Sequence, residues 1–272
     1  MLKFFGSSNI KLFVKDALDN MADKLKGKKV LDIPAGSGFT SKILLDHGAD
    51  VLAYDLFPEF FKVDEIECKR ANLSERLPIA DNSLDMIVCQ EGIEHLPDQL
   101  FALKEFNRVL KENGTLLLTT PNISHLRSKV SYLLSESDFY KRMPPNELDA
   151  LWHTDEGREF YGHIFLINIQ KIRVLSAVAG FKLTKLHKVK LSVGSLFLSF
   201  LYPFIIVANI YAYLRNVRKN DEIDYKKKKN TYKEIVKLNL HPSIQFGKHI
   251  FIELKKSSKR ELSVYKDEDS II

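Results

Sequence analysis

Cysteine is scarce. Cys68 and Cys89 are the only two in 272 residues, and each falls inside an apolar run that reads as a strand. Thiols so placed exclude a disulfide framework and point to a reduced, cytoplasmic setting. Met1 to Lys11 holds no long apolar core with a small-residue cleavage site, so no secretory leader is expected there. Internal repeats are also missing. With 45% apolar content, the chain has enough material to bury a full core as one domain carrying an insertion.

A broad excess of one charge is lacking as well. The net charge of +6 is concentrated, because Arg215 to Lys237 alone holds nine basic and four acidic residues. That pattern favours a local contact with anionic lipid or another polyanion over a basic protein as a whole; a solvated charged loop is the alternative.

What is present in strength is the stretch from Lys28 to Asp55. Val30, Leu31 and Ile33 suit a buried parallel strand, Pro34 to Gly38 break it, and a helix starts near Phe39. Gly36 and Gly38 let the main chain turn tightly and lie against a ligand, while the helix behind them offers unpaired N–H groups. Asp55 closes the next strand, where a carboxylate accepts hydrogen bonds from both hydroxyls of a ribose. A dinucleotide site wants a third glycine, and Ser41 stands there instead. Asp32 is likewise awkward beside a pyrophosphate but suits a cationic sulfonium or ammonium group.

V-L-D-I-P-A-G-S-G resembles the first motif of class I S-adenosylmethionine-dependent methyltransferases, of the methyltransferase type 11 and ubiquinone-biosynthesis O-methyltransferase kind. Pro34 replaces the first glycine of the usual D-x-G-x-G-x-G, so this turn is stiffer. D-N-S-L-D-M-I-V-C-Q-E-G-I-E-H-L-P resembles the fourth motif of that family, and G-H-I-F-L-I-N-I-Q is a further match. The resemblance implies an α/β fold, a doubly wound Rossmann-like sheet of seven strands whose last strand is antiparallel, with a helical insertion before it. It also implies S-adenosyl-L-methionine as cofactor and S-adenosyl-L-homocysteine as product. The implied cofactor contacts are Asp32, Pro34, Ala35, Gly36, Gly38, Asp55, Leu56, Asn72, Leu73 and Gln90. Asn72 stands where the family places a partner for the adenine amine, and a turn cap is its competing role.

The rest of the chain fills out that plan. An amphipathic helix is expected over Asn9 to Lys26, with strands at Glu67 to Ala71, Leu84 to Cys89, Thr115 to Thr119, Phe181 to Val189 and Lys248 to Leu254. A helix carries Leu100 to Leu110, another runs from about Ile123 to Leu134, and Asn168 caps a third that Gly180 ends. Ser135 to Thr154, with Pro144 and Pro145, loses periodicity and reads as a lid or substrate loop. The expected division is a methyltransferase core over residues 1–190, an apolar and basic insertion over 191–247, the last core strand at 248–256 and a tail at 257–272.

Leu191 to Leu214 has no formal charge over twenty-four residues, long enough to cross a bilayer. Topology argues otherwise, since both flanking strands belong to one sheet and no second apolar stretch brings the chain back. Pro203 is expected to split the segment into two short pieces, giving a bent hairpin at the membrane surface, with basic residues through 229 against headgroups. Packing on the domain or in a dimer is the alternative.

Methyl transfer to a hydroxyl needs a positioned acceptor and a route for its proton. Glu91, Glu94 and His95 form E-x-x-E-H, and His163 sits in G-H-I-F. These four resemble a metal-binding pattern of ubiquinone-biosynthesis and small-RNA ribose 2′-O-methyltransferases, which implies a divalent ion such as magnesium. Without a metal, Glu94, His95 and His163 are the catalytic candidates, and His125 and His153 are spares. The expectation is O-methylation of a glycan, quinone or lipid-linked acceptor by a protein peripheral on the inner face of the cell membrane. The rivals are an RNA ribose methyltransferase, disfavoured because only Tyr225 and Tyr232 interrupt the basic stretch, and a SAM-binding module without turnover. Ser41 keeps an NAD-dependent dehydrogenase behind both.

Overall fold

The computed structural model describes residues 10–138, 143–153, 159–219 and 224–257. Asn9, part of the irregular 135–154 segment and most of the expected 257–272 tail lie outside the described residues. Nine strands are described: β1 (Lys29–Asp32), β2 (Asp50–Asp55), β3 (Cys68–Arg70), β4 (Leu84–Gln90), β5 (Leu110–Pro121), β6 (Leu151–His153), β7 (Glu159–Tyr161), β8 (Phe181–Leu186) and β9 (His249–Lys256). Seven form one sheet in the order β3-β2-β1-β4-β5-β9-β8, and β6 pairs only with β7. The first five strands of that order run parallel, while β9 is antiparallel to both β5 and β8.

Alternation along the strands explains why the sheet is covered on both sides. Leu31, Ile87, Cys89, Leu116, Leu118 and Ile252 join one buried cluster, whereas their neighbours Val30, Val88, Leu117 and Phe251 join the other. Side chains one residue apart on a strand point to opposite faces, so each apolar run feeds two cores. The helix Ile10–Asp19 covers the second face through Ile10, Val14 and Leu18, and Gln99–Val109 covers the first through Leu103 and Phe106. The expected helix over Asn9 to Lys26 is divided, with a separate turn at Ala22–Leu25.

Several boundaries move for local reasons. β5 begins at Leu110 rather than Thr115, so Glu112 to Gly114 lie within the strand, where Asn113 takes a left-handed φ of 61°. The helix after β5 starts at Leu126 rather than Ile123 because His125 caps it, accepting from Ser128 N–H at 3.0 Å. β8 ends at Leu186, short of Val189. L-W-H, inside the segment expected to be irregular, follows a short helix at Glu147–Ala150 and pairs with E-F-Y beyond that segment as the β6–β7 ribbon.

The insertion departs most from expectation. Pro203 does not split it: Val193–Val217 is helical throughout, passing through a 3₁₀ turn at Leu198–Leu201, and Pro203 sits in the first turn of Tyr202–Val217. A proline there removes an N–H that has no intrahelical partner anyway. The helix Tyr225–Asn239 packs against it. Tyr202 Oη donates to the Leu240 carbonyl at 2.6 Å, and Asn239 Nδ2 donates to Asn209 Oδ1 at 2.9 Å. Those bonds bear on the membrane question, because Tyr225–Asn239 carries six lysines. At about 2.5–3.5 kcal/mol per lysine at the centre of a bilayer, taking this helix across with its neighbour would cost on the order of 15 kcal/mol. Six lysines on the partner helix therefore weigh against the pair crossing a bilayer together.

The chain returns to the sheet through Asn122. Its buried Nδ2 donates to the carbonyls of Ile244 and Gly247 at 2.9 and 2.8 Å, and its Oδ1 accepts from Ser124 N–H at 2.8 Å. Asn122→Ala strands these groups out of water and should lower the unfolding free energy by about 2–3 kcal/mol. Urea titration checks this, with a reduced midpoint and an unchanged slope expected.

Candidate functional site

The carboxyl ends of β1, β2, β4 and β5 meet at one edge of the sheet, where open α/β folds place their ligands. At the end of β1 the chain turns through Gly36 (φ 52°) and Gly38 (φ 85°), a left-handed region that other residues enter at a cost. A Cβ on Gly38 would lie 2.5 Å from Val63 Cγ2, so the segment after β2 closes down on this turn. Ala35 N–H donates to the Tyr54 carbonyl at 2.9 Å. Pro34 presses against Gly92, where an added Cβ would fall 2.5 Å from the proline Cδ. That contact locks the first motif to the fourth.

Two carboxylates flank the turn. Asp32 is buried, and its Oδ2 accepts from Ser41 Oγ at 2.6 Å. Burial pushes its carboxyl up to about 7, against the pull of the serine. Ser41, which stands in place of a third glycine, thus gains a role as partner to Asp32. Asp55 accepts from Gly36 N–H at 2.7 Å and from Phe57 N–H at 2.8 Å. Each of its oxygens keeps a second lone pair, so a ribose can still be held there.

The remaining cofactor candidates divide. Gln90 ends β4 and accepts from Thr40 Oγ1 at 3.2 Å at the same edge. Leu56 is half-buried beside Asp55, and Leu73 is buried in the core with Leu77. Asn72 serves a turn, with Oδ1 accepting from Ser74 N–H and Nδ2 donating to Glu75, both at 2.9 Å. Its oxygen has one lone pair left for an adenine amine.

The loop after β4 holds the second half of the site. Glu94 is fully buried; its Oε2 accepts from Thr120 Oγ1 at 3.0 Å, and its Oε1 has no hydrogen-bond partner among the described residues. His95 donates from Nδ1 to the Tyr161 carbonyl at 2.7 Å. That bond fixes the tautomer and leaves Nε2 as an acceptor. The His163 ring lies 5.0 Å from that of His95, and ligand atoms of Glu94, His95 and His163 fall within 4.8 Å of one another. Glu91 is not in this cluster. It takes a left-handed φ of 52°, accepts from Thr119 Oγ1 at 3.1 Å and faces His249 Nε2 at 3.6 Å.

Burial sets the electrostatics. It raises Glu91 and Glu94 above the usual carboxylate range, Glu94 further because Glu91 is near. It lowers His95, and it drives His249 down to about 4 with help from Lys248. An orphaned carboxylate oxygen beside two imidazoles fits a divalent cation, whose charge would offset the cost of ionising Glu94.

The sequence reading missed Gly92, Thr119, Thr120 and His249. The threonines stand at the end of a strand that was expected, so their place was available. His249 reaches the site only because β9 inserts beside β5, pairing it with Pro121. His125 is a helix cap whose Nδ1 also lies 3.1 Å from Ser195 Oγ. The side chain of His153 lies outside the described residues.

Comparison with known proteins agrees with this geometry. The profile of a family described as "Methyltransferase domain" matches residues 31–118. A ubiquinone biosynthesis O-methyltransferase of Xanthomonas campestris is 33% identical over 107 residues, covering 36% of this chain and 45% of that protein. One of the same description from Methylococcus capsulatus is 28% identical over 161 residues, 51% and 66% of the two chains. The match thus spans less than half of the first relative's length. A SAM dependent methyltransferase from Archaeoglobus fulgidus shares the fold with a TM-score of 0.52 at 17% identity, over 90% of this chain and 94% of that one.

Asp32 gives the site a pH dependence. Below about 7 its carboxyl is protonated and cannot pair with a cationic ligand, so affinity for S-adenosylmethionine should rise from about pH 5.5 to about pH 7.5. Beyond that the ligand's own amino group begins to lose its proton. Calorimetry should show the rise in the native chain and its absence in Asp32→Asn.

Proposed function

We propose that this chain, which carries a class I S-adenosylmethionine-dependent methyltransferase domain, moves the cofactor's methyl group to a hydroxyl of a quinone, glycan or other lipid-linked acceptor. The acceptor hydroxyl and the setting at the cytoplasmic face of a membrane are parts of this reading. One observation carries it: an acceptor nitrogen of His95 stands beside the buried Glu94 carboxylate at the cofactor edge of the sheet. The names of the Xanthomonas and Methylococcus relatives, both ubiquinone biosynthesis O-methyltransferases, support oxygen as the atom and a quinone-like ring among the acceptors. The apolar and basic insertion over 191–229 supports the lipid part.

The sulfonium already makes the methyl group reactive, so these residues have positioning and proton transfer to supply. The turn at Gly36 and Gly38 seats the amino-acid end of the cofactor, Asp32 pairs with its cation, and Asp55 holds the ribose. The acceptor oxygen approaches the methyl opposite the sulfur. His95 Nε2 takes the hydroxyl proton as the O–C bond forms and the C–S bond breaks, giving S-adenosylhomocysteine. The Tyr161 carbonyl holds His95 in the tautomer this requires, and the positive charge that forms on the imidazole favours ionisation of the buried Glu94 beside it. Burial keeps His95 neutral below its ordinary range, so the base stays available at neutral pH.

In the alternative to a general base, Glu94, His95 and His163 would hold a divalent ion through His95 Nε2, and that ion when bound would lower the pKa of the acceptor hydroxyl. Two imidazoles to one carboxylate suit manganese, iron or zinc better than magnesium.

His95→Ala should lower kcat by about 10²–10³-fold while leaving S-adenosylmethionine affinity within about twofold. Glu94→Gln keeps the shape and should slow turnover in the same way. Incubation with methyl-labelled cofactor and cell fractions identifies the acceptor: label is expected in the lipid extract. Label in RNA would favour a ribose methyltransferase, and cofactor binding without turnover in any fraction would favour a non-catalytic module.

A further inference from the structure

The chemistry above makes no use of the outer side of the Val193–Val217 helical run. Tyr202, Asn209 and Tyr213 are half-buried, Val217 is buried, and this side turns inward to Tyr225–Asn239. Phe197, Phe200, Phe204, Val207, Tyr211 and Leu214 follow one another at steps of three and four and are between 59% and 81% exposed. That spacing draws one continuous stripe along a helix. The helix Leu126–Ser135 meets the 3₁₀ turn near the amino end of the run and adds Leu133 and Leu134, 82% and 74% exposed. No acidic residue lies on the run, and Arg215, Lys219, Lys226 and Lys227, all exposed, gather around its carboxyl end.

An apolar patch of this extent on a monomer calls for a partner. A second copy of the chain would cover the stripe but would bring a second set of lysines toward the first. An anionic bilayer answers both features, taking the aromatic and aliphatic side chains into its acyl boundary and the cations at its headgroups. The hydrogen bonds from Tyr202 and Asn239 hold the inner side to the protein, so the helix can enter only along its length.

We propose that this stripe, with Leu133 and Leu134, is a docking surface for one leaflet of an anionic lipid bilayer, the helix lying in the plane of the interface. The surface adjoins the candidate site. Ser195, near the start of the run, accepts from Arg127 N–H at 3.3 Å and lies 3.1 Å from His125 Nδ1. His125 is five residues beyond Thr120, whose hydroxyl holds Glu94. A docked chain presents that strand end to an amphiphile in the same leaflet; this last step rests on the function proposed above, whereas the docking itself does not.

Flotation of the full chain with phosphatidylcholine vesicles, with and without phosphatidylglycerol, tests the surface. The chain should float with the anionic vesicles and bind the neutral ones more weakly. Phe200→Ser with Phe204→Ser should lower the bound fraction at least about tenfold. Lys226→Glu with Lys227→Glu should abolish the preference for phosphatidylglycerol. Both variants should bind S-adenosylmethionine with native affinity, which reports that they are folded. A native chain that stays unbound, or a phenylalanine variant that floats equally well, overturns the proposal. So does light scattering that finds a dimer which the phenylalanine variant converts to monomer. Vesicle binding with no label entering the lipid extract would leave the docking surface standing and remove the lipid-linked acceptor.

Discussion

The hydrogen bond from Gly36 N–H to Asp55 is the constraint on which the site depends. It joins the turn after β1 to the end of β2 at 2.7 Å, and the other carboxylate oxygen takes Phe57 N–H. Two strand ends, a glycine turn and the start of the next loop are thereby held by one side chain, before any ligand is present. The close contact of Pro34 with Gly92 extends the same brace to β4. A cofactor entering this corner meets donors and acceptors already fixed by other bonds, which limits what ordering costs on binding.

The acceptor side is held less directly. His95 is oriented by a carbonyl of Tyr161, 66 residues away in the chain. Tyr161 belongs to the β6–β7 ribbon, and Phe160 beside it packs edge-on against Phe57 at 5.2 Å between ring centroids. The ribbon therefore touches the loop next to the ribose carboxylate and the histidine of the acceptor side together. A shift of this ribbon would therefore move the Phe57 loop and His95 together.

The hairpin between β8 and β9 shows a third balance. Its inner side is secured by hydrogen bonds from Tyr202, Asn239 and Gln170, while its outer side leaves large apolar groups in water. The lysines of Tyr225–Asn239 lie on the helix that packs against the Val193–Val217 run, and the exposed phenylalanines lie on the other side of that run. Insertion before the last strand tolerates such an element because β9 is anchored independently, between β5 and β8 and through Asn122.

Local pattern was enough for most of the sheet and for the turn that follows its first strand. Apolar runs of strand length, a glycine turn and an acid at a strand end depend on neighbours in sequence, so β1, β2, β4, the turn at Gly36 and Gly38 and the place of Asp55 at the end of β2 were legible. Seven strands with an antiparallel last member followed from the resemblance those motifs carry. The continuous helix through Pro203 was misjudged because a proline's effect depends on whether it falls in a first turn, which composition does not reveal. The partner of His95, the separation of Glu91 from the histidine cluster and the arrival of His249 were decided by tertiary structure alone. Each joins residues whose meeting is set by strand order or by a ribbon folding back, and no periodicity in the chain encodes those distances.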